Sequence, residues 1–198
     1  MFFTEPPMKL GETLQGTNPD ASTVLINDHW LGQIFYHPTP PAVDGGPRAS
    51  GRPIKAILLR NTSGTTLYGK RLGQIVEGVA AINNTVAGYA VASTAARCVI
   101  IDSYLPSSGV ADDDIFWGII EGPCIGQMQT LASAASVVVA GAFLVAGSGA
   151  GTATNTTSGG LGMTTAPVVQ NLVGVALTGR TTADTGADVA LNACIQVY

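Results

Sequence analysis

The sequence predicts a mainly β protein: a small β-barrel or sandwich body over residues 51–198, preceded by an extended N-terminal arm over residues 1–50. Three observations predict it. From Ile54 onward, short runs rich in Val, Ile, Leu and aromatic residues alternate with turns rich in Gly, Ser, Thr and Asn, the pattern of a sandwich or barrel. Seven of the eleven prolines lie in the first 50 residues, where they remove backbone donors and hold the chain extended. Charge is sparse, at 11% of residues against about a quarter in an ordinary soluble domain, while 46% are hydrophobic, enough to build a core.

The elements follow in order. The stretches "EPPMKLGETLQGTNPDAST" and "YHPTPPAVDGGPRASGRP" are the arm, and "VLINDHWLGQIFYH" between them has the pattern of a strand pair or a short helix. The arm carries Phe2, Phe3, Trp30, Phe35 and Tyr36, too many large apolar groups for a solvated tail, so it is expected to fold against something else. The candidate partner-binding residues are Phe2, Phe3, Pro6, Pro7, Trp30, Phe35 and Tyr36, with Arg48 and Arg52 at the end of the arm. In the body, "IKAILLR" is strand-like and turns at "NTSG", "TTLYGKRLGQIV" continues as strand, and "RCVIIDSYL" is a further strand ended by "PSSG". "DIFWGIIEG" and "CIGQMQT" form a pair broken at Gly122-Pro123, and "SVVVAG" and "AFLVAG" join at a glycine. "NLVGVALTG" and "DVALNACIQVY" close the chain across "RTTADTGA". Two segments have a helical reading: "RLGQIVEGVAAINN", with Ile75, Val79 and Ile82 spaced for one face, and "MQTLASAAS".

Charge placement narrows the partners. Arg48, Arg52, Lys55, Arg60, Lys70, Arg71 and Arg97 meet only Glu77 in their span, whereas the chain after Arg97 is acidic and the stretch between Glu121 and Arg180 has no charge at all. A net charge of −4 gives no reason to expect nucleic acid as a partner. The uncharged stretch is not a membrane span: its longest apolar part, Val137 to Ala146, is interrupted by Gly141 and is far short of the roughly 20 residues a spanning helix needs. A surface so poor in charge suits burial between subunits, and an oligomer is expected. The three cysteines, Cys98, Cys124 and Cys194, lie in apolar strand-like runs without a disulfide framework and are expected to be buried, reduced thiols. "MFFTEPPMKL" lacks the basic start and apolar run of an export signal.

Catalytic and metal patterns are weak. "GSGAG" lacks the Lys-Ser/Thr of a phosphate loop and reads as a hairpin or loop. Adjacent residues of an extended chain point opposite ways, so Asp112, Asp113 and Asp114 read as a solvated turn rather than a cation site. His29 and His37 have no Cys or carboxylate at zinc-ligand spacing and read as packing or hydrogen-bonding histidines beside aromatic residues. No G-x-S-x-G elbow occurs. No enzyme, cofactor or metal is expected.

The second half carries a recurring run of short motifs: "FWGIIEGPC" (Phe116 to Cys124), "VVAGAFLVAG" (Val138 to Gly147), the loop "GSGAGTATNTTSGG", and "VGVALTGRTTADTGADVALNACIQV". In order and spacing, over roughly residues 97–198, this resembles the capsid decoration, or cement, proteins of tailed bacteriophages. The resemblance implies a β-rich body of the β-tulip kind, often trimeric, bound at three-fold or quasi-three-fold positions on the outside of an icosahedral head, with the major capsid protein as partner and no enzymatic activity. It implies a protein assembled in the host cytoplasm and resident on the virion surface. The alternatives from other classes are a phage fibre or adhesin protein binding a host receptor or glycan, a hydrolase on a small β fold, and the capsid shell protein itself. A glycan-binding signal or a probe-reactive Ser or Cys would distinguish the first two. The short chain and the absence of a long helical pattern weigh against the shell protein.

Overall fold

The computed structural model describes residues 6–38, 53–76, 84–89, 98–127, 141, 143–146, 161–164, 172–176 and 188–194. The described chain is all β apart from one 3-10 turn at Asp28–Trp30. The strands are β1 (Thr17–Asn18), β2 (Ala21–Leu25), β3 (Ile34–His37), β4 (Ile54–Asn61), β5 (Leu72–Ile75), β6 (Thr85–Tyr89), β7 (Cys98–Ile101), β8 (Ile115–Gln127), β9 (Phe143–Ala146), β10 (Leu161–Thr164), β11 (Leu172–Ala176) and β12 (Asp188–Cys194).

Six of them, β3 to β8, make a sheet that nearly closes into a ring. β4 pairs antiparallel with β8, β8 with β7, β7 with β5, and β5 with β6. β6 returns to β4 as a short parallel pair, Arg60 with Thr85 and Asn61 with Val86. The other half of that β4 edge, Ile54 to Ile57, is taken by β3. The body expected from the sequence, mainly β and either a barrel or a sandwich, is thus a sheet that nearly closes on itself.

Both faces of the β4–β8 wall are covered, which is why their sequences read as nearly unbroken apolar runs rather than alternating ones. Alternate residues Ile57, Leu59, Phe116 and Ile120 point into the ring, where Leu67, Ile75, Val86, Val99, Ile101 and Val110 complete the inner core. Gly118 lies among them because a Cβ there would stand 2.6 Å from Leu59 Cδ1 and 3.0 Å from Val99 Cγ2. Ala56, Leu58, Ile115 and Trp117 point outward and are covered by Met8, Leu10, Leu14, Trp30, Leu31 and Phe35.

Those covering residues belong to the segment expected to be an arm separate from the body. Residues 8–37 instead form a strap across the outer wall of the ring. Leu14 exchanges two backbone hydrogen bonds with Ile115, each 2.9 Å, and β3 is a strand of the main sheet. The physical reason is that the outer face of β4 and β8 is itself apolar and needs a cover. Residues 24–37, read as a strand pair or a short helix, hold one short 3-10 turn, Asp28–Trp30, and their strands do not pair with each other: β2 pairs with β1, and β3 with β4.

Two further expectations change. The helical reading of residues 71–84 fails over Leu72–Ile75, which is β5, held to β7 and β6 on its two edges. The expected break at Gly122-Pro123 is absent: β8 runs through it as one 13-residue strand. Gly122 absorbs the bend with a φ of 105°, a conformation open to glycine, and the ladder to β4 slips one residue just there, between Lys55 and Ala56. Beyond the bend, β8 pairs with β12 from Glu121–Cys194 to Gln127–Asp188, and β12, β11, β9 and β10 continue the sheet. β9 and β10, which flank the Gly/Thr tract, pair antiparallel, as expected of a hairpin. "MQTLASAAS" and most of "SVVVAG", including the β-branched run Val137–Val139, lie outside the described residues.

Candidate functional site

The seam between strap and ring holds three of the buried polar groups, His37, Arg60 and Asp102. Arg60 ends the apolar run of β4 and is 2% exposed. Its Nη1 donates to the carbonyls of Gly16 (2.9 Å) and Asp113 (2.6 Å), its Nη2 donates to the carbonyl of Ile26 (2.8 Å), and Nη2 also pairs with the carboxylate of Asp28. A buried guanidinium is tolerable only when its fork of donors is filled in this way. Two residues of the Asp112–Asp114 turn serve the same seam, Asp114 accepting from the Gly16 amide and Asp113 giving its carbonyl to Arg60, while Asp112 accepts from the Gly64 amide of the loop after β4. Burial raises the Asp114 carboxyl above its ordinary range, against the Gly16 amide and Arg60, which lower it. The triplet thus has three separate structural tasks. Among the described residues no group of three His, Cys, Asp or Glu side chains is placed to hold a metal ion.

Asp102 is fully buried at the end of β7 and fastens the strap from the other side. Its carboxylate accepts from the amides of Gly11 (2.5 Å) and Tyr104 (2.9 Å). Burial pushes it up to about 6 despite those two donors. Tyr104 is raised to about 12 by burial, with Cys124 and Asp102 adding to the effect. Trp117, at the middle of the outer face, donates from Nε1 to the carbonyl of Met8 (3.2 Å). Phe35 meets it edge-on at 5.6 Å and His37 at 4.6 Å. Cys98 and Cys124 are buried thiols, as expected, and the Cys194 side chain lies outside the described residues.

The candidate partner-binding residues separate into three groups. Phe2, Phe3, Arg48 and Arg52 lie outside the described residues. Pro6 and Pro7 are half-buried at the start of the strap, and Trp30 and Phe35 pack on the outer face of the ring. Tyr36 is 65% exposed, with the Lys55 ammonium 5.8 Å from its ring centroid. Lys55 in turn lies 3.8 Å from the Glu121 carboxylate. Because strand residues alternate, Ile34 shares the Tyr36 face, and it is 48% exposed. Ile34, Tyr36 and Glu121, with the half-buried Lys55 between the last two, thus form a surface row across β3, β4 and β8. Sequence reading named Tyr36 but missed Ile34; the alternation Ile34-out, Phe35-in, Tyr36-out, His37-in was the signal available. A second feature is half-buried Arg71, whose guanidinium lies 5.2 Å from the ring centroids of both Tyr68 and Tyr89 and whose Nε donates to Gln127 Oε1.

The His29 ring lies tilted against Trp30, 4.9 Å between centroids, on the strap surface, while His37 is buried, so the two histidines serve different sites. No helix among the described residues is long and apolar enough to cross a membrane. Compared with known proteins, the chain matches no family model, no curated protein and no solved structure.

Proposed function

We propose that this chain is a structural protein of a virion, a decoration or cement protein that binds the outside of an icosahedral phage head as a homotrimer and takes the major capsid protein as its partner. The observation that carries the reading is the placement of the motifs that resemble that family. "FWGIIEGPC" lies on β8, "FLVA" on β9, "VGVA" on β11 and "DVALNAC" on β12, and these strands are consecutive in the sheet, in the order β9-β11-β12-β8. Segments separated by up to some 70 positions in the chain thus assemble into one continuous unit, which supports reading them together. The surface row of exposed Ile34, Tyr36 and Glu121 with half-buried Lys55 combines apolar, aromatic and paired charged groups, a mixture that suits a protein interface. Such a protein acts by contact: it adds buried area across neighbouring shell subunits and so raises the cost of separating them.

The experiment is reconstitution. Purified protein mixed with phage heads that lack their decoration should sediment with them at a fixed ratio to the shell protein and raise the temperature at which the heads rupture. Absence of binding to heads, together with saturable binding to a glycan array, would replace this reading with the adhesin one.

A further inference from the structure

We propose that His37 makes the strap acid-sensitive: protonating this buried ring loosens residues 8–37 from the outer face of the ring while the inner core stays folded. The geometry comes first. His37 is the last residue of β3, is 5% exposed and stands edge-on to Trp117, the side chain on which the strap is seated. Trp117 also holds the Met8 carbonyl and receives Phe35, so His37 touches the group that both ends of the strap share. Its Nε2 has no hydrogen-bond partner among the described residues. An imidazolium carries N–H on both nitrogens. The charged form therefore leaves a buried Nε2–H without an acceptor at a seam made of Met8, Ala56, Leu58, Trp117 and Phe35. Loosening relieves this, because water reaches the ring.

The surrounding charges do not offset the penalty. On β4 and β8 the nearby charged groups are Lys55 and Glu121, which pair with each other on the opposite face, the face of Tyr36. On the strap, Lys9 and Glu12 are exposed, and the Lys9 amide donates to the Glu12 carboxylate. Arg60 and Asp28 are engaged with each other at the far end of β4. Burial accordingly holds His37 below its ordinary range. The sign is definite. An exposed histidine takes up its proton at about 6.5, and the buried one resists, so the strap is tightest above that value and weakens as pH falls below it.

Asp102 acts on the same strap in the opposite direction, since its buried carboxyl favours the protonated form. The test therefore compares wild type with His37→Phe, chains in which Asp102 titrates alike. Hydrogen exchange is followed at the Gly11 and Leu14 amides of the strap and at Val99 and Ile101 in the ring, corrected for the intrinsic pH dependence of exchange. The expected result is that lowering the pH from 7.5 to 5 raises strap opening several-fold more in wild type than in His37→Phe, with ring protection unchanged between the two chains. An equal response of the two strap amides in both chains overturns the proposal, and so does a wild-type excess that is as large in the ring as in the strap. His37→Gln, neutral at both pH values and similar in size, serves as the second variant and should behave like His37→Phe. The outcome does not depend on whether the protein binds a phage head.

Discussion

Arg60 and Asp28 form an ion pair between the end of β4 and the 3-10 turn of the strap, with Arg60 buried and Asp28 largely exposed. The pair is only part of the arrangement, because the same guanidinium holds the carbonyls of Gly16, Ile26 and Asp113. Arg60→Met leaves these buried acceptors and the Asp28 charge unmatched. It is expected to cost about 3–5 kcal/mol, the scale of breaking a buried pair from one side. Asp28→Asn should cost far less, since three carbonyls still hold the guanidinium. Urea unfolding of the two variants checks the order; equal losses would show that the carboxylate, not the carbonyl set, holds Arg60.

At Gly118 the inner face of the ring has no room for a side chain. Its added Cβ would meet Leu59 and Val99 in the inner core. Gly118→Ala should destabilise by about 1–3 kcal/mol through overpacking. Gly118→Ala combined with Leu59→Val should recover part of the loss, because the atom in closest contact is Leu59 Cδ1. A double variant no more stable than Gly118→Ala alone would argue against this contact as the cause.

A chain beginning at Ser22 lacks Met8, Leu10 and Leu14 and uncovers Ile115 and Trp117. Removing Met8 alone withdraws a buried side chain worth about 1.5–3 kcal/mol, and Gly16, an acceptor for Arg60, is lost with it. The truncated chain should unfold at lower denaturant and show red-shifted tryptophan emission as Trp117 meets water. Retention of the full-length stability would mean that residues 8–21 of the strap contribute nothing to the ring.

Asp102 gives a pH dependence whose sign follows from its burial. Its folded-state value is raised from 3.8 to about 6, so the folded protein holds the proton more tightly than the unfolded chain. This contribution to stability is present at low pH, is lost as pH rises from 3.8 to about 6, and stays lost above that. Asp102→Asn also removes one of two acceptor oxygens and should lower stability overall, yet its stability should fall less than that of wild type across this window. Unfolding midpoints between pH 4 and 7 measure the difference; parallel curves would remove Asp102 from the pH response.

The sequence by itself determined the β class and many of the strands. The runs "IKAILLR", "FLVA", "VGVA" and "DVALNAC" fall on β4, β9, β11 and β12, and the cysteines of β7 and β8 are buried, because β-branched apolar runs bounded by turns carry a local signal. Only the tertiary structure decided the rest. The helical spacing of Ile75, Val79 and Ile82 was real, but Leu72–Ile75 has ladder partners on both edges, and pairing overrides a weak local periodicity. The proline-rich start looked like an arm because nothing in it shows that the β4–β8 wall has a second apolar face to cover. Arg60 looked like one more member of a basic stretch. Its acceptors are Ile26, Gly16 and Asp113, which stand 34, 44 and 53 positions away in the chain. Burial of a charge is decided by groups that distant, brought together only when the strap closes over the ring, so no local pattern around Arg60 could carry it.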